Sequence, residues 1–194
     1  ACVGAAAQLP GPVHVLVMGA GVDGAAKSAS AIKGVETVWV ADGPHLADHI
    51  AENMTAAVVD VIKSGGYTHV IAPATSFGKN LLPRVAALMD TQQISDVIAI
   101  ESADIFRRPV YAGNAIATVK STDSVKIMTV RPTNFTAAPA TGGSASVVPA
   151  PGSAQSAARG QALAGTSSDL GPGLRQGDTP VLVSREQSKS ERPE

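Results

Sequence analysis

The residues best spaced for chemistry lie near the start of the chain. The stretch "VHVLVMGAGVDGAAKSASAIKGVETVWVAD" covers residues 13–42. An apolar run precedes Gly19-Ala20-Gly21-Val22-Asp23-Gly24, a helical pattern follows, and Asp42 ends the next apolar run. That is the order a dinucleotide site requires. Its glycines let backbone amides approach a pyrophosphate at a helix N-terminus, and its acid takes a ribose hydroxyl. Asp23 argues against it, because a carboxylate there would face the phosphates. The competing reading is a glycine-rich turn between a strand and a helix.

Other combinations are weaker. Ser76-Phe77-Gly78-Lys79-Asn80 suggests a phosphate loop but lacks both the first glycine and the hydroxyl of the Walker pattern. It reads more simply as a helix start capped by Thr75 or Ser76, with Lys79 in solvent. His45, Asp48 and His49 could share a helix face and bind a metal, but a polar surface face explains them as well. Ser76, Ser95 and Ser144 lack the paired base and G-x-S-x-G elbow of a nucleophile. His14 and His69 each begin a strand-like run and are assigned structural or surface roles. Arg107, Arg108, Lys120 and Lys126 are read as a solvated face, with a partner-binding edge as the alternative. Asn53-Met54-Thr55 and Asn134-Phe135-Thr136 match the glycosylation pattern, which matters only in a secreted protein.

These residues need a scaffold. Apolar runs at 13–18, 37–41 and 69–74 alternate with helical patterns, including 46–63 and 79–89. Leu46, Ile50, Met54, Val58 and Val61 fall at helical spacing, and Gly65-Gly66 should stop that helix. Pro83 predicts a tight first turn or a kink in the third helix. Strands alternating with helices imply right-handed crossovers and a parallel sheet covered on both faces. Past Gln93, runs at 96–100, 107–113, 114–121 and 125–130 read as antiparallel strands. The expected fold class is therefore α/β: a three-layer, mainly parallel sheet between helices, with antiparallel edge strands. This domain should fill residues 1–135. The Ala/Gly/Ser/Pro-rich residues 136–179 read as a disordered linker, and 180–194 as a short trailing segment.

Composition bounds the function. The 194 residues carry a formal charge of -1, which leaves no broad basic footprint for nucleic acid. Cys2 is the only cysteine, so no internal disulfide or cysteine-based zinc site can form. No apolar run reaches the ~18–20 residues that span a bilayer. Aromatics are 3% of a chain that is 44% hydrophobic, so the core must rely on Val, Ile, Leu and Ala.

A resemblance adds to this reading. "SFGKNLLPRVAALM" (76–89), "ISDVIAIES" (94–102), "IFRRPVYAGNAIATVKS" (105–121), "VKIMTVRPTNF" (125–135) and "TGGSAS" (141–146) resemble the N-terminal domain of electron-transfer flavoprotein alpha subunits. The similarity covers about residues 5–146 and resumes at "KSERPE" (189–194), with the segment between looking like an insertion. In that family the domain opens with a strand and helix. Here "GAAAQLPGP" (4–12) looks like the end of that helix, and the expectation is that most of the opening unit is truncated.

The resemblance implies half of a heterodimer with a beta subunit. FAD sits in a second domain expected beyond Glu194, so this chain alone should bind no FAD and hold no catalytic, cofactor-binding or metal-binding residues. The complete protein would carry electrons from acyl-CoA dehydrogenases and other dehydrogenases to a membrane quinone oxidoreductase. The chain would be a platform without chemistry of its own, acting on no nucleic acid and inserting in no membrane. The family's eukaryotic place is the mitochondrial matrix, with the cytoplasm as the other expectation. The turn after residues 13–18 is not a nucleotide site in the family's alpha subunit. The Gly19–Gly24 fingerprint with Asp42 thus survives only as an alternative, an NAD-binding dehydrogenase module.

Overall fold

The strands at 13–19 and 69–73 are apolar apart from His14 and His69, because both faces are covered. A computed structural model describes residues 1–151, and residues 181–184 as backbone. Its helices are α1 (Cys2–Ala6), α2 (Asp23–Ser30), α3 (Ala51–Gly65) and α4 (Ser76–Leu88). The main sheet contains β1 (Val13–Gly19), β2 (Val35–Asp42), β3 (His69–Pro73), β4 (Gln93–Val97), β8 (Lys126–Val130), β9 (Ser146–Pro149) and β10 (Val181–Ser184). Its order is β4-β8-β3-β10-β1-β2-β9. A second, antiparallel sheet is built from β5 (Ala99–Ile100), β6 (Ile105–Val110) and β7 (Ala115–Lys120), in that order.

Strand alternation divides the core between two faces. Leu16, Met18, Val70, Ala72 and Ile127 point to the side of α3 and α4, where Met54, Val58, Leu82 and Val85 meet them. Val15, Val17, Ile71 and Met128 point to the other side, against Val3, Ala6, Ala26 and Ala29 of α1 and α2. Phe106 of β6 is fully buried in that second cluster and ties the small sheet to the domain. A one-residue slip of any central strand would exchange its two apolar sets, so packing pins the register.

Three expectations change in detail. Residues 126–130, read among the antiparallel strands, form β8, which pairs parallel with both β3 and β4. Apolar periodicity marks a strand but not its partner. The run at 96–100 divides between β4 and β5, two different sheets. Finally, the segment after Thr136 is not all linker. Gly143 and Ala145 donate backbone hydrogen bonds to Ala31 and Ser30, and β9 pairs parallel with β2. Small residues allow this contact: a Cβ on Gly143 would lie 2.2 Å from the Ile32 carbonyl oxygen. Composition alone cannot separate such a close-packed strap from a linker. The remainder of the expected linker, and the segment at 185–194, lie outside the described residues.

Helix boundaries follow their residues. α3 ends where Gly66 takes the left-handed conformation, φ 61° and ψ 39°, and donates to the Ile62 carbonyl. α4 continues through Pro83 instead of ending there. The helix tolerates the missing donor because Leu81, Leu82 and Val85, all fully buried, hold it to the sheet.

Candidate functional site

In a parallel sheet the ligand crevice lies beyond the carboxyl ends of the strands. Here that rim is formed by Gly19 of β1, Asp42 of β2, Pro73 of β3 and Val130 of β8, with the turns leading to α2 and α4. Every candidate from the glycine fingerprint and from the Ser76–Asn80 stretch is therefore on one rim.

The fingerprint turn is occupied by its own acid. The Gly21 amide donates to Asp42 Oδ1 at 2.9 Å, and the Val22 amide to Oδ2 at 3.4 Å. The Gly43 amide also donates to the Gly19 carbonyl at 2.9 Å, closing the two strand ends together. Amides that would hold a pyrophosphate are thus spent on Asp42, and the carboxylate that would hold a ribose points at them. Asp23 adds a second carboxylate in the first turn of α2. Nor do the glycines play their usual parts. A Cβ on Gly24 would meet nothing within 4 Å, so no close helix-to-strand approach depends on it. Gly21 is needed for its backbone, at φ 71°. The geometry is a self-capped turn, with Asp42 on the amides that a dinucleotide would need.

The second stretch is also structural. Thr75 caps α4, its Oγ1 accepting from the Gly78 amide at 3.4 Å. Gly78 is where the helix meets the strand it follows, since an added Cβ would sit 2.1 Å from the Pro73 carbonyl oxygen. Lys79 Nζ lies 3.3 Å from Asp96 Oδ1, and Arg131 Nε lies 3.9 Å from the same oxygen. Asp96 has φ 57°, a left-handed conformation that aspartate tolerates, and its amide donates to Thr129 Oγ1 at 3.0 Å. Two strands and a helix are clasped here by one carboxylate between two cations.

His45, Asp48 and His49 do not converge on a metal. Among the described residues, no group of three or more His, Cys, Asp or Glu could hold an ion. His49 instead packs edge-on to Phe77, with ring centroids 6.2 Å apart. His69 is fully buried and structural; its Nε2 donates to the Ala103 carbonyl at 2.7 Å. Asn53 is buried, and its amide donates to the His45 carbonyl at 2.8 Å, which removes it as a glycosylation acceptor. Sequence reasoning missed one polar cluster at the opposite end of the sheet. The Trp39 indole donates to the Tyr67 hydroxyl at 2.7 Å, which lies 2.6 Å from His14 Nδ1. Three residues so far apart in sequence carry no local signal.

Exposed apolar side chains include Leu88 at the end of α4, Val147 on the edge strand β9, and two residues of the small sheet. Arg107 pairs with Glu101 at 3.7 Å and Lys120 with Asp104 at 3.3 Å, and Arg108 donates to Ser95 Oγ at 2.8 Å. Tyr111 in the β6–β7 turn is 82% exposed, and Ile116 near the start of β7 is 51% exposed. β7 pairs only with β6 among the described strands, and it carries no charge before Lys120. Edge strands usually carry charges or prolines that prevent pairing, and this one lacks them over five residues. Among the described residues, no helix is long and apolar enough to cross a membrane.

Comparison with known proteins identifies relatives of this chain. Residues 1–155 match the electron transfer flavoprotein domain family. The alpha subunit of electron transfer flavoprotein from Pseudomonas aeruginosa is 45% identical over 181 residues, which is 93% of this chain and 55% of that protein. The alpha subunit from Paracoccus denitrificans is 42% identical over 180 residues, 93% of this chain and 55% of that protein. The mitochondrial alpha subunit from Dictyostelium discoideum is 48% identical over 143 residues, 71% of this chain and 40% of that protein. The chain thus spans about half the length of the curated relatives it matches. It belongs to the electron transfer flavoprotein family, on the alpha-subunit branch.

Proposed function

We propose that this domain is a platform: it pairs with an electron-transfer flavoprotein beta subunit and supports a flavin-bearing unit, without contacting the flavin's reactive ring. The observation that carries the reading is a contrast between two surfaces. The rim where an α/β domain would hold a nucleotide is filled by the protein's own Asp42, Asp96 and Lys79. The β7 edge with Tyr111 and Ile116 stands open. FAD does not fit the rim for the same reason that NAD does not, since its pyrophosphate would need the amides that Asp42 takes. In the complete carrier, electrons would travel on reduced FAD from acyl-CoA dehydrogenases to a membrane quinone reductase. That makes the protein a carrier rather than an enzyme, with its place in the mitochondrial matrix in a eukaryote or the cytoplasm in a bacterium.

Hydrogen exchange tests the platform directly. Adding a beta subunit should slow exchange at the Ala115–Val119 amides of β7, and Thr118→Pro, which removes one donor there, should weaken the complex at least tenfold. Unchanged exchange on β7 upon complex formation would refute the assignment of this edge. Refolded with FAD and desalted, the chain alone should remain colourless. Stoichiometric flavin absorbance would contradict the proposal.

A further inference from the structure

The basic residues of the small sheet are not all neutralised in the same way. Arg107 pairs with Glu101 and Lys120 with Asp104, and both cations are exposed on one face of the β6–β7 hairpin. Arg108 lies on the other face. Along β6 it is two residues from Phe106, and directly across on β7 is Ala117. Phe106 is fully buried, so this face is turned toward the domain, and Arg108 is half-buried on it. Ala117 offers only a methyl group beside the guanidinium stem.

Few of the guanidinium donors are used. Nη2 donates to Ser95 Oγ at 2.8 Å, while Nε is buried and has no hydrogen-bond partner among the described residues. No carboxylate of the described residues pairs with Arg108. A half-buried cation held by one neutral hydroxyl is costly, and an opposite charge would offset that cost. The rest of the hairpin points the same way. Residues 109–119 carry no charge, and residues 111–116 are all exposed. Tyr111 and Ala112 take left-handed backbone, at φ 50° and 55°. Residues other than glycine adopt that conformation at a cost, and such strain gathers at binding sites.

We infer that Arg108 is the charged anchor of this surface, and that it receives a carboxylate from an Asp or Glu side chain of the protein strand that docks on β7. This rests on the β7-edge assignment above and adds the chemistry of the partner. A strand added beyond β7 would place the residue opposite Ala117 about 9–10 Å from Arg108, two strand spacings away. An arginine passing over a methyl group spans that distance to meet a carboxylate. One acid suffices. Arg107 and Lys120 are already paired, so the hairpin offers a single free positive charge and not the cluster that a phosphate would favour. Docking of an otherwise apolar strand over residues 109–119 would exclude water, which strengthens a guanidinium–carboxylate bond.

The test uses the full chain and an electron-transfer flavoprotein beta subunit. Arg108→Gln should weaken the complex about thirtyfold or more, because it leaves the partner's acid buried and unpaired. Arg108→Lys, which keeps the charge but loses the planar fork, should fall between that variant and wild type. Arg107→Gln, removing an exposed and already paired cation, should cost no more than about fivefold. The free Arg108→Gln chain should unfold within a few degrees of wild type, since no ion pair is lost. Wild-type affinity of Arg108→Gln, with the β7 amides protected in the complex, would overturn the anchor and leave the edge assignment standing. Unprotected β7 amides would refute both. Should Arg108→Gln fail to fold, the wild-type chain decides. Its Arg108 guanidinium resonances, averaged by rotation in the free chain, should split and shift downfield in the complex; unchanged resonances would overturn the anchor. The same change with inorganic phosphate alone would also overturn it, by making Arg108 a general anion site.

Discussion

Replacing Gly78 with alanine separates a packing turn from a phosphate loop. A Cβ there would lie 2.1 Å from the Pro73 carbonyl oxygen and 3.3 Å from Ala72 Cβ, so α4 or the end of β3 must move by about 1.3 Å to reach an ordinary 3.4 Å contact. The helix has little freedom to do so, because Leu81, Leu82 and Val85 are fully buried against the sheet. Overpacking of this kind costs about 1–3 kcal/mol. The better helix propensity of alanine returns at most about 1 kcal/mol. From the middle of that overpacking range, the net expectation is a loss of about 1 kcal/mol, or a Tm lower by roughly 2–4 °C for a domain of this size. Lys79→Ala provides the contrast. Lys79 is half exposed and its ion pair with Asp96 is at the surface, so its loss should cost no more than ~1 kcal/mol. Thermal unfolding followed by circular dichroism, with and without inorganic phosphate, measures both. A Gly78→Ala variant as stable as wild type would refute the packing argument. So would a phosphate-dependent rise in Tm that Lys79→Ala abolishes.

Other consequences are open to simple measurement. Asp42→Ala should lower stability by about 1 kcal/mol through the two amides it leaves at the surface, while NADH titration shows no saturable binding to either protein; binding weakened by the substitution would restore the dinucleotide reading. Burial pushes the Cys2 thiol from 9.0 up to about 11, partly opposed by the N-terminal charge, so alkylation at pH 8.5 should be slow in the native chain and fast in urea. Because the folded value is raised, the associated stabilisation is complete below pH 9 and disappears toward pH 11; it amounts to at most about 2–3 kcal/mol. Equal native and unfolded alkylation rates would contradict that burial. Asp104 is held below the usual carboxylate range by Ser102 and Lys120, and Asp123 by the Gln92 amide, then Thr91 and Ser121. Both folded values are depressed, so these tethers persist above the ordinary carboxylate pKa and are lost as pH falls through the lower folded values. Carboxyl chemical shifts should titrate below 3.8, and midpoints at or above it would count against both contacts.

The sequence was most legible where one physical cause dominated. Runs such as 13–18 and 69–74 are apolar apart from one histidine each because both faces are covered, and Gly66 ends α3 because its left-handed backbone suits glycine. Thr75 was legible as a cap from its place before a helical pattern. Pairing was harder to read. Nothing local in "VKIMTV" says that β8 joins β3 and β4, and nothing in "VLVS" places β10 at the centre of the sheet. The strap at 136–145 looked like linker because Ala and Gly serve flexibility and close backbone packing equally. At the rim, the spacing from Gly19 to Asp42 identified a true contact but not its chemistry. Asp42 meets the glycine turn, as a carboxylate on amides rather than on a ribose.

Sedimentation velocity on equimolar chain and electron-transfer flavoprotein beta subunit is the most direct test of the platform. The account predicts one boundary at the mass of a one-to-one heterodimer, formed without added FAD and diminished by Thr118→Pro. Two independent boundaries at the masses of the separate chains, at concentrations where both are folded, would contradict it.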